Sequence, residues 1–131
     1  MTGVYVDTSV LGRVLLGEPD APAVLRELGR FQERLASRLL RVELRRLALR
    51  EGRPEAAGEL LAGVAFVPLE QSLLDEAEVV LPATVATLDA IHLATALRLA
   101  RDGVLDTVMT YDRRLAAGAA HHGLQVLAPV S

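Results

Sequence analysis

Cysteine is absent from the 131 residues. That excludes disulfides, a thiolate nucleophile and cysteine-bound zinc. Lysine is absent too, so all fourteen cations are arginine. A P-loop needs its lysine on the phosphates, and that class is excluded. Phospho-acceptor receiver domains and haloacid-dehalogenase-like phosphatases also carry acids at strand ends, but both rely on a lysine. No Gly-x-Gly-x-x-Gly run supports a dinucleotide site. Aromatics make up only 3% (Tyr5, Phe31, Phe66, Tyr111), too few for a base-stacking platform. No apolar run approaches the ~18 residues of a membrane span. The N-terminus lacks a basic region followed by an apolar one, so no signal peptide is expected and a cytoplasmic location is the default.

Apolar residues are plentiful at 51%, against 24% charged, which argues against disorder. The length favours a single domain spanning 1–131. A net charge of −3 gives no general basic footprint for nucleic acid. The arginines are nevertheless uneven. Arg38, Arg41, Arg45, Arg46, Arg50 and Arg53 fall within sixteen residues. A solvated helix face is the simpler reading of them. A phosphate-contacting stripe is the other, because a guanidinium binds phosphate bidentately.

Short apolar stretches alternate with helical ones. Strands are predicted at 3–6, near 35–37, and at 65–68, 107–110 and 124–127. Helices are predicted at 8–16, 21–34, 38–51, 54–63, 71–81, 87–102 and 112–120. Gly17, Pro19, Gly52, Pro54, Pro68, Pro82, Gly103 and Gly123 punctuate them. Strands separated by helices imply an α/β fold with a mainly parallel sheet covered on both faces. Sites in such sheets form beyond the carboxyl ends of the strands.

Four acids stand out against this pattern. Asp7 ends the run Val4-Tyr5-Val6, and Asp112 follows Val108-Met109-Thr110-Tyr111. At about 100° per residue, Glu43 falls inside the arc formed by Leu39, Leu40, Leu44, Leu47 and Ala48. Asp89 shares a helix side with Leu93, Ala96, Leu97 and Ala100. Carboxylates in such places cost free energy unless neutralised. If they converge, they repel one another and invite a hard cation. Each also has a structural reading. Asp7 and Asp112 are candidate N-caps, Asp89 suits the dipole of a first helical turn, and Glu43 can pair with an arginine one turn away. Thr8, Ser9 and Thr110 flank the acids and either orient them or satisfy local backbone. His92 reads as a packing histidine. His121 and His122 read as exposed helix-end residues.

These residues together resemble a PIN-domain ribonuclease of the VapC toxin type. The segments that carry the resemblance are Val4-Tyr5-Val6-Asp7-Thr8-Ser9-Val10-Leu11, Glu43, Leu88-Asp89-Ala90-Ile91-His92-Leu93-Ala94-Thr95-Ala96 and Thr110-Tyr111-Asp112-Arg113-Arg114-Leu115. The resemblance implies a three-layer α/β/α sandwich and endonucleolytic RNA cleavage. It implies Mg²⁺ or Mn²⁺ at Asp7, Glu43, Asp89 and Asp112, with a homodimer and a cognate antitoxin protein as further partners. Thr8, Ser9 and Thr110 become supporting residues, and Arg113 and Arg114 candidate contacts to RNA phosphates. Oxygen-only ligands suit Mg²⁺ or Mn²⁺ over zinc. The alternatives are a housekeeping RNA-processing nuclease of the same fold, or a non-catalytic module whose acids hold a structural cation or accept a partner's arginine.

The early helices are rich in apolar residues, namely Val10, Leu11, Val14, Leu15, Val24, Leu25, Leu28 and Phe31. Most are expected to build the core. The rest are expected to offer a surface for an antitoxin helix or a second copy.

Overall fold

The computed structural model describes residues 3–130; residues 1, 2 and 131 of the expected domain lie outside the described residues. Five strands form one parallel sheet: β1 (Gly3–Val6), β2 (Glu33–Ser37), β3 (Ala65–Val67), β4 (Leu105–Met109) and β5 (Gln125–Leu127). Their spatial order is β3-β2-β1-β4-β5. The helices are α1 (Thr8–Leu15), α2 (Ala21–Leu28), α3 (Arg38–Glu51), α4 (Pro54–Ala62), α5 (Gln71–Val79), α6 (Thr87–Arg101) and α7 (Arg113–His121).

Successive strand residues point to opposite faces, and each face has its own core. Val4, Val6, Ala36 and Met109 pack under α1 to α4 with Val10, Leu40, Leu44 and Leu61. Tyr5, Leu35, Leu105 and Val108 pack on the other face with Leu93 and Ala96 of α6 and Leu115 and Ala119 of α7. Three layers result, and the fold is an α/β/α sandwich.

The sheet order creates one switch point. From β1 the chain steps outward through β2 and β3, then returns to place β4 on the other side of β1. The crevice at the carboxyl ends of β1 and β4 is where ligands bind in open parallel sheets. Asp7 follows β1 directly, and Thr110 to Asp112 follow β4.

One predicted helix is too long. The stretch 21–34 is helical only to Leu28, and residues 33 and 34 belong to β2. Gly29 weakens the helix end. Pairing with β1 then draws the next residues into the sheet, with Gly3 opposite Glu33, Val4 opposite Arg34 and Tyr5 opposite Leu35. Likewise β4 begins at Leu105 rather than 107, where it meets Gly3 of β1. The predicted ends of other elements move by a residue or two.

Close packing of α6 on α7 depends on Gly118. A Cβ there would lie 2.9 Å from Leu93 Cδ2 and 3.1 Å from Val85 Cγ2. This contact sets the spacing of the two helices that carry Asp89 and Asp112.

Candidate active site

Asp7 is buried at 4% exposure and sits at the N-cap position of α1, yet its side chain makes no capping bond. It accepts instead from two hydroxyls. Ser9 Oγ donates to Oδ1 at 2.6 Å and Thr110 Oγ1 donates to Oδ2 at 2.8 Å. Those hydroxyls in turn accept backbone N–H groups, Tyr111 N–H to Ser9 at 2.9 Å and Asp112 N–H to Thr110 at 3.0 Å. The segment after β4 is thereby tied to the acid after β1, and both oxygens of Asp7 have fixed directions. Burial pushes the Asp7 carboxyl above its usual pKa, the two hydroxyl donors pull against that, and the charge on Asp112 adds to the rise.

Asp112 does cap its helix. Its Oδ1 accepts from the N–H groups of Arg114 at 2.8 Å and Leu115 at 2.9 Å, leaving Oδ2 to other partners. Asp89, in the first turn of α6, is only half-buried. Burial raises its pKa, and so does the nearby charge of Asp112; together these push it to about 6. The charge of Asp7 acts in the same direction. Three acids therefore stand within electrostatic reach of one another at the switch point.

Glu43 lies at the edge of the apolar arc of α3, half-buried between Leu39 and Leu47. Its partner is not an arginine. Thr8 Oγ1 donates to Oε1 at 2.6 Å, and His92 Nε2 meets the same oxygen at 2.9 Å. Burial alone would raise the pKa of Glu43, but the His92 and Thr8 hydrogen bonds outweigh it and the net shift is downward. Among the described residues Oε2 receives no donor.

Sequence reasoning missed what lies behind His92. Its Nδ1 is 2.6 Å from the Tyr5 hydroxyl, which also accepts the Ser37 N–H at 3.1 Å. Both side chains are buried, at 0% for Tyr5 and 2% for His92. The one available signal was spacing: His92 is three residues after Asp89, on the same helix side.

No three His, Asp or Glu side chains among the described residues close on a single point as a finished metal shell. Asp7, Asp89 and Asp112 lie within electrostatic reach of one another, and Glu43 is hydrogen-bonded to Thr8 and His92 rather than to the other acids. The arrangement is open. Beside it runs a groove of about 390 Å³ lined by Thr8, Ser9, Gly12, Arg13 and Leu47. Arg13 crosses its rim, 3.9 Å above the Tyr111 ring and 2.9 Å from Asp20. Two larger clefts, about 690 and 700 Å³, open around Val79 to Leu81, and none of the four acids lines either.

Arg113 and Arg114 are exposed at the start of α7, next to Asp112. The α3 arginines face outward except Arg41, which lies 5.9 Å from the Phe66 ring, and among the described residues none forms an ion pair. His121 and His122 are exposed at the end of α7. Of the early apolar residues, Val10, Leu11, Leu15, Val24 and Leu28 are buried in the domain's own core, and Leu25 alone is largely exposed at 52%. Exposed apolar side chains gather instead on α3 (Val42, Leu49) and around the α5–α6 connection (Val79, Leu81, Leu88).

The parallel α/β/α sandwich defines a class of fold, and comparison of the whole chain with known proteins supplies the family. The PIN-domain family model matches residues 4–121, and the chain belongs to that family. Within it the chain is of the VapC type. It is 38% identical to Ribonuclease VapC47 of Mycobacterium tuberculosis (strain CDC 1551 / Oshkosh), over 96% of each chain. It is 37% identical to Ribonuclease VapC46 of Mycobacterium tuberculosis (strain ATCC 25618 / H37Rv), over 98% of this chain and 99% of the relative. A toxin–antitoxin complex from Klebsiella pneumoniae shares the fold, with a TM-score of 0.72 at 19% identity over 98% of each chain. No described helix is long and apolar enough to cross a membrane.

Proposed function

We propose that this chain is a divalent-cation-dependent endoribonuclease acting as the toxin of a toxin–antitoxin pair. The observation that carries the chemistry is the set of carboxylates at the β1–β4 switch point, where burial and the Asp112 charge push the pKa of Asp89 up to about 6. Acids kept this close gain by taking up a cation. The donor set fits Mg²⁺ or Mn²⁺, since it is all carboxylate. Mg²⁺ keeps several waters and uses only one or two carboxylates directly, which suits an open cluster better than a closed cage.

Asp7, Glu43, Asp89 and Asp112 would hold the ion directly or through water. When bound, the ion makes a coordinated water a stronger nucleophile and offsets charge on the phosphoryl oxygens. The chain's own residues do the rest. Ser9 and Thr110 hold Asp7 in one orientation, Thr8 holds Glu43, and an acid left free to accept a hydrogen bond orients the attacking water. Arg113 and Arg114 bind flanking phosphates. Water adds to the phosphorus as it gives a proton to the acid that orients it, the bond to the leaving ribose oxygen breaks, and that oxygen takes up a proton from solvent.

The antitoxin follows from the VapC-type membership. Its chemistry is expected to include an arginine or lysine that enters the acidic cluster and competes with cation and RNA. A second copy of the chain is expected to pair through exposed apolar side chains. The test is RNA cleavage by purified protein with Mg²⁺, with excess chelator, and with Asp7→Asn. Undiminished cleavage in chelator overturns the cation, and no cleavage under any condition moves the reading to a binding module.

A further inference from the structure

A hydrogen-bonded chain crosses the core behind the acids, and its ends are chemically different. Ser37 N–H donates to the Tyr5 hydroxyl at 3.1 Å, that hydroxyl meets His92 Nδ1 at 2.6 Å, and His92 Nε2 meets Glu43 Oε1 at 2.9 Å. The direction of donation follows from the partners. An ionised carboxylate only accepts, so Nε2 carries the hydrogen facing Glu43. A tyrosine phenol carries its proton at neutral pH. Having accepted from Ser37, that phenol donates to Nδ1. Every member is satisfied when His92 is the Nε2–H tautomer.

From this we propose that Tyr5 and His92 are positioning residues that fix Glu43 Oε1 and so present Oε2 to the bound cation. The proposal rests on the cation-dependent reading above. Three observations carry it. Both donors to Glu43, Thr8 and His92, fall on the same oxygen, which leaves the other for a ligand. The chain starts at the N-cap of α3, the helix that bears Glu43, since Ser37 also accepts Leu39 N–H at 3.1 Å. It also ties together the elements that carry three of the acids. Tyr5 is two residues before Asp7 on β1, and His92 is three after Asp89 on α6.

Packing alone does not account for the chain. A buried polar network gives little net stability over apolar side chains of the same shape. Phenylalanine and leucine would fill these places and leave Glu43 with the Thr8 hydroxyl as its one donor among the described residues. What the network supplies is direction. Groups behind a metal ligand set its orientation, and their loss typically weakens metal binding about 10–100-fold.

The experiment titrates Mn²⁺ calorimetrically into the wild-type protein, Tyr5→Phe, His92→Leu and His92→Gln, with melting curves for each. Tyr5→Phe removes one oxygen atom and His92→Leu removes both ring nitrogens. Both are expected to weaken Mn²⁺ by about tenfold or more while the protein stays folded. His92→Gln returns an N–H near the place of Nε2, and is expected to recover affinity relative to His92→Leu. A purely structural role would not produce that recovery. Mn²⁺ affinity within twofold of wild type in folded Tyr5→Phe overturns the proposal, whatever His92→Leu does. If the wild-type protein itself takes up no Mn²⁺, the cation reading falls and this role with it, and that outcome is visible before any variant is compared.

Discussion

Asp89, in the first turn of α6, and Asp112, at the N-cap of α7, stand within electrostatic reach of each other, and burial together with the Asp112 charge pushes the Asp89 pKa up to about 6. A folded-state pKa above the unfolded one means the native state binds the proton more tightly. The stabilising effect is fully present below the unfolded pKa and is lost as pH rises through about 6. Without divalent cation, the melting temperature is therefore expected to fall between about pH 4 and pH 7 from this pair. Asp89→Asn should flatten that slope and melt no lower than wild type at pH 7.5. An unchanged slope in Asp89→Asn would place the pH dependence elsewhere.

Cleavage is expected to drop by at least about a hundredfold in Asp7→Asn, Asp89→Asn and Glu43→Gln, the usual scale for removing a group that handles the proton or the cation. Asp112→Asn belongs in the same set, with one difference. Its Oδ1 caps α7, and an asparagine oxygen can still accept those two N–H groups. Activity should fall while stability holds, whereas Asp112→Ala should also lose about 1 kcal/mol of cap. Wild-type rates in Glu43→Gln would remove that residue from the site.

Cation binding should register as stability. Mg²⁺ at a hundred times its dissociation constant adds about 2.7 kcal/mol by mass action, and the melting temperature should rise accordingly. Asp7→Asn should show little or no rise. Differential scanning calorimetry at several Mg²⁺ concentrations checks both.

Thr110→Val tests the hydroxyl bridge to Asp7. The substitution leaves the Asp112 N–H without its acceptor and removes one of the two donors to Asp7. With Thr110 only 1% exposed, the loss is expected at about 1–3 kcal/mol in denaturant melts. Ser9→Ala should behave similarly through Tyr111 N–H and the other oxygen. Wild-type stability in both would mean that water replaces the hydroxyls.

Expression of the chain alone is expected to slow growth, and co-expression of a neighbouring small reading frame to relieve it. The exposed Val42, Leu49, Val79, Leu81 and Leu88 mark where an antitoxin or a second copy has apolar surface to cover. A soluble monomer that leaves growth untouched and binds no neighbour-encoded protein would favour the housekeeping nuclease.

Much of the fold was legible because its signals are local. Apolar period and glycine or proline punctuation mark where strands and helices alternate, and helical angle alone puts Glu43 inside a leucine arc. The predicted helix 21–34 overran for the same reason. Nothing local in Glu33 and Arg34 announces a strand; pairing with Gly3 and Val4 makes them one. The site divides along the same line. That Asp7 and Asp112 follow apolar, strand-like runs is legible in the sequence. That those strands are neighbours follows from β4 joining the sheet beside β1, which no window of sequence contains. The hydrogen bonds that orient the acids are more distant still, with Tyr5 and His92 separated by 87 residues, Glu43 and His92 by 49, and Asp7 and Thr110 by 103. The sequence alone determined which residues carry charge and which face of each element they occupy. Only the tertiary structure decided which acids meet and which donors hold them, because long-range pairing and side-chain packing set those distances, and periodicity does not encode them.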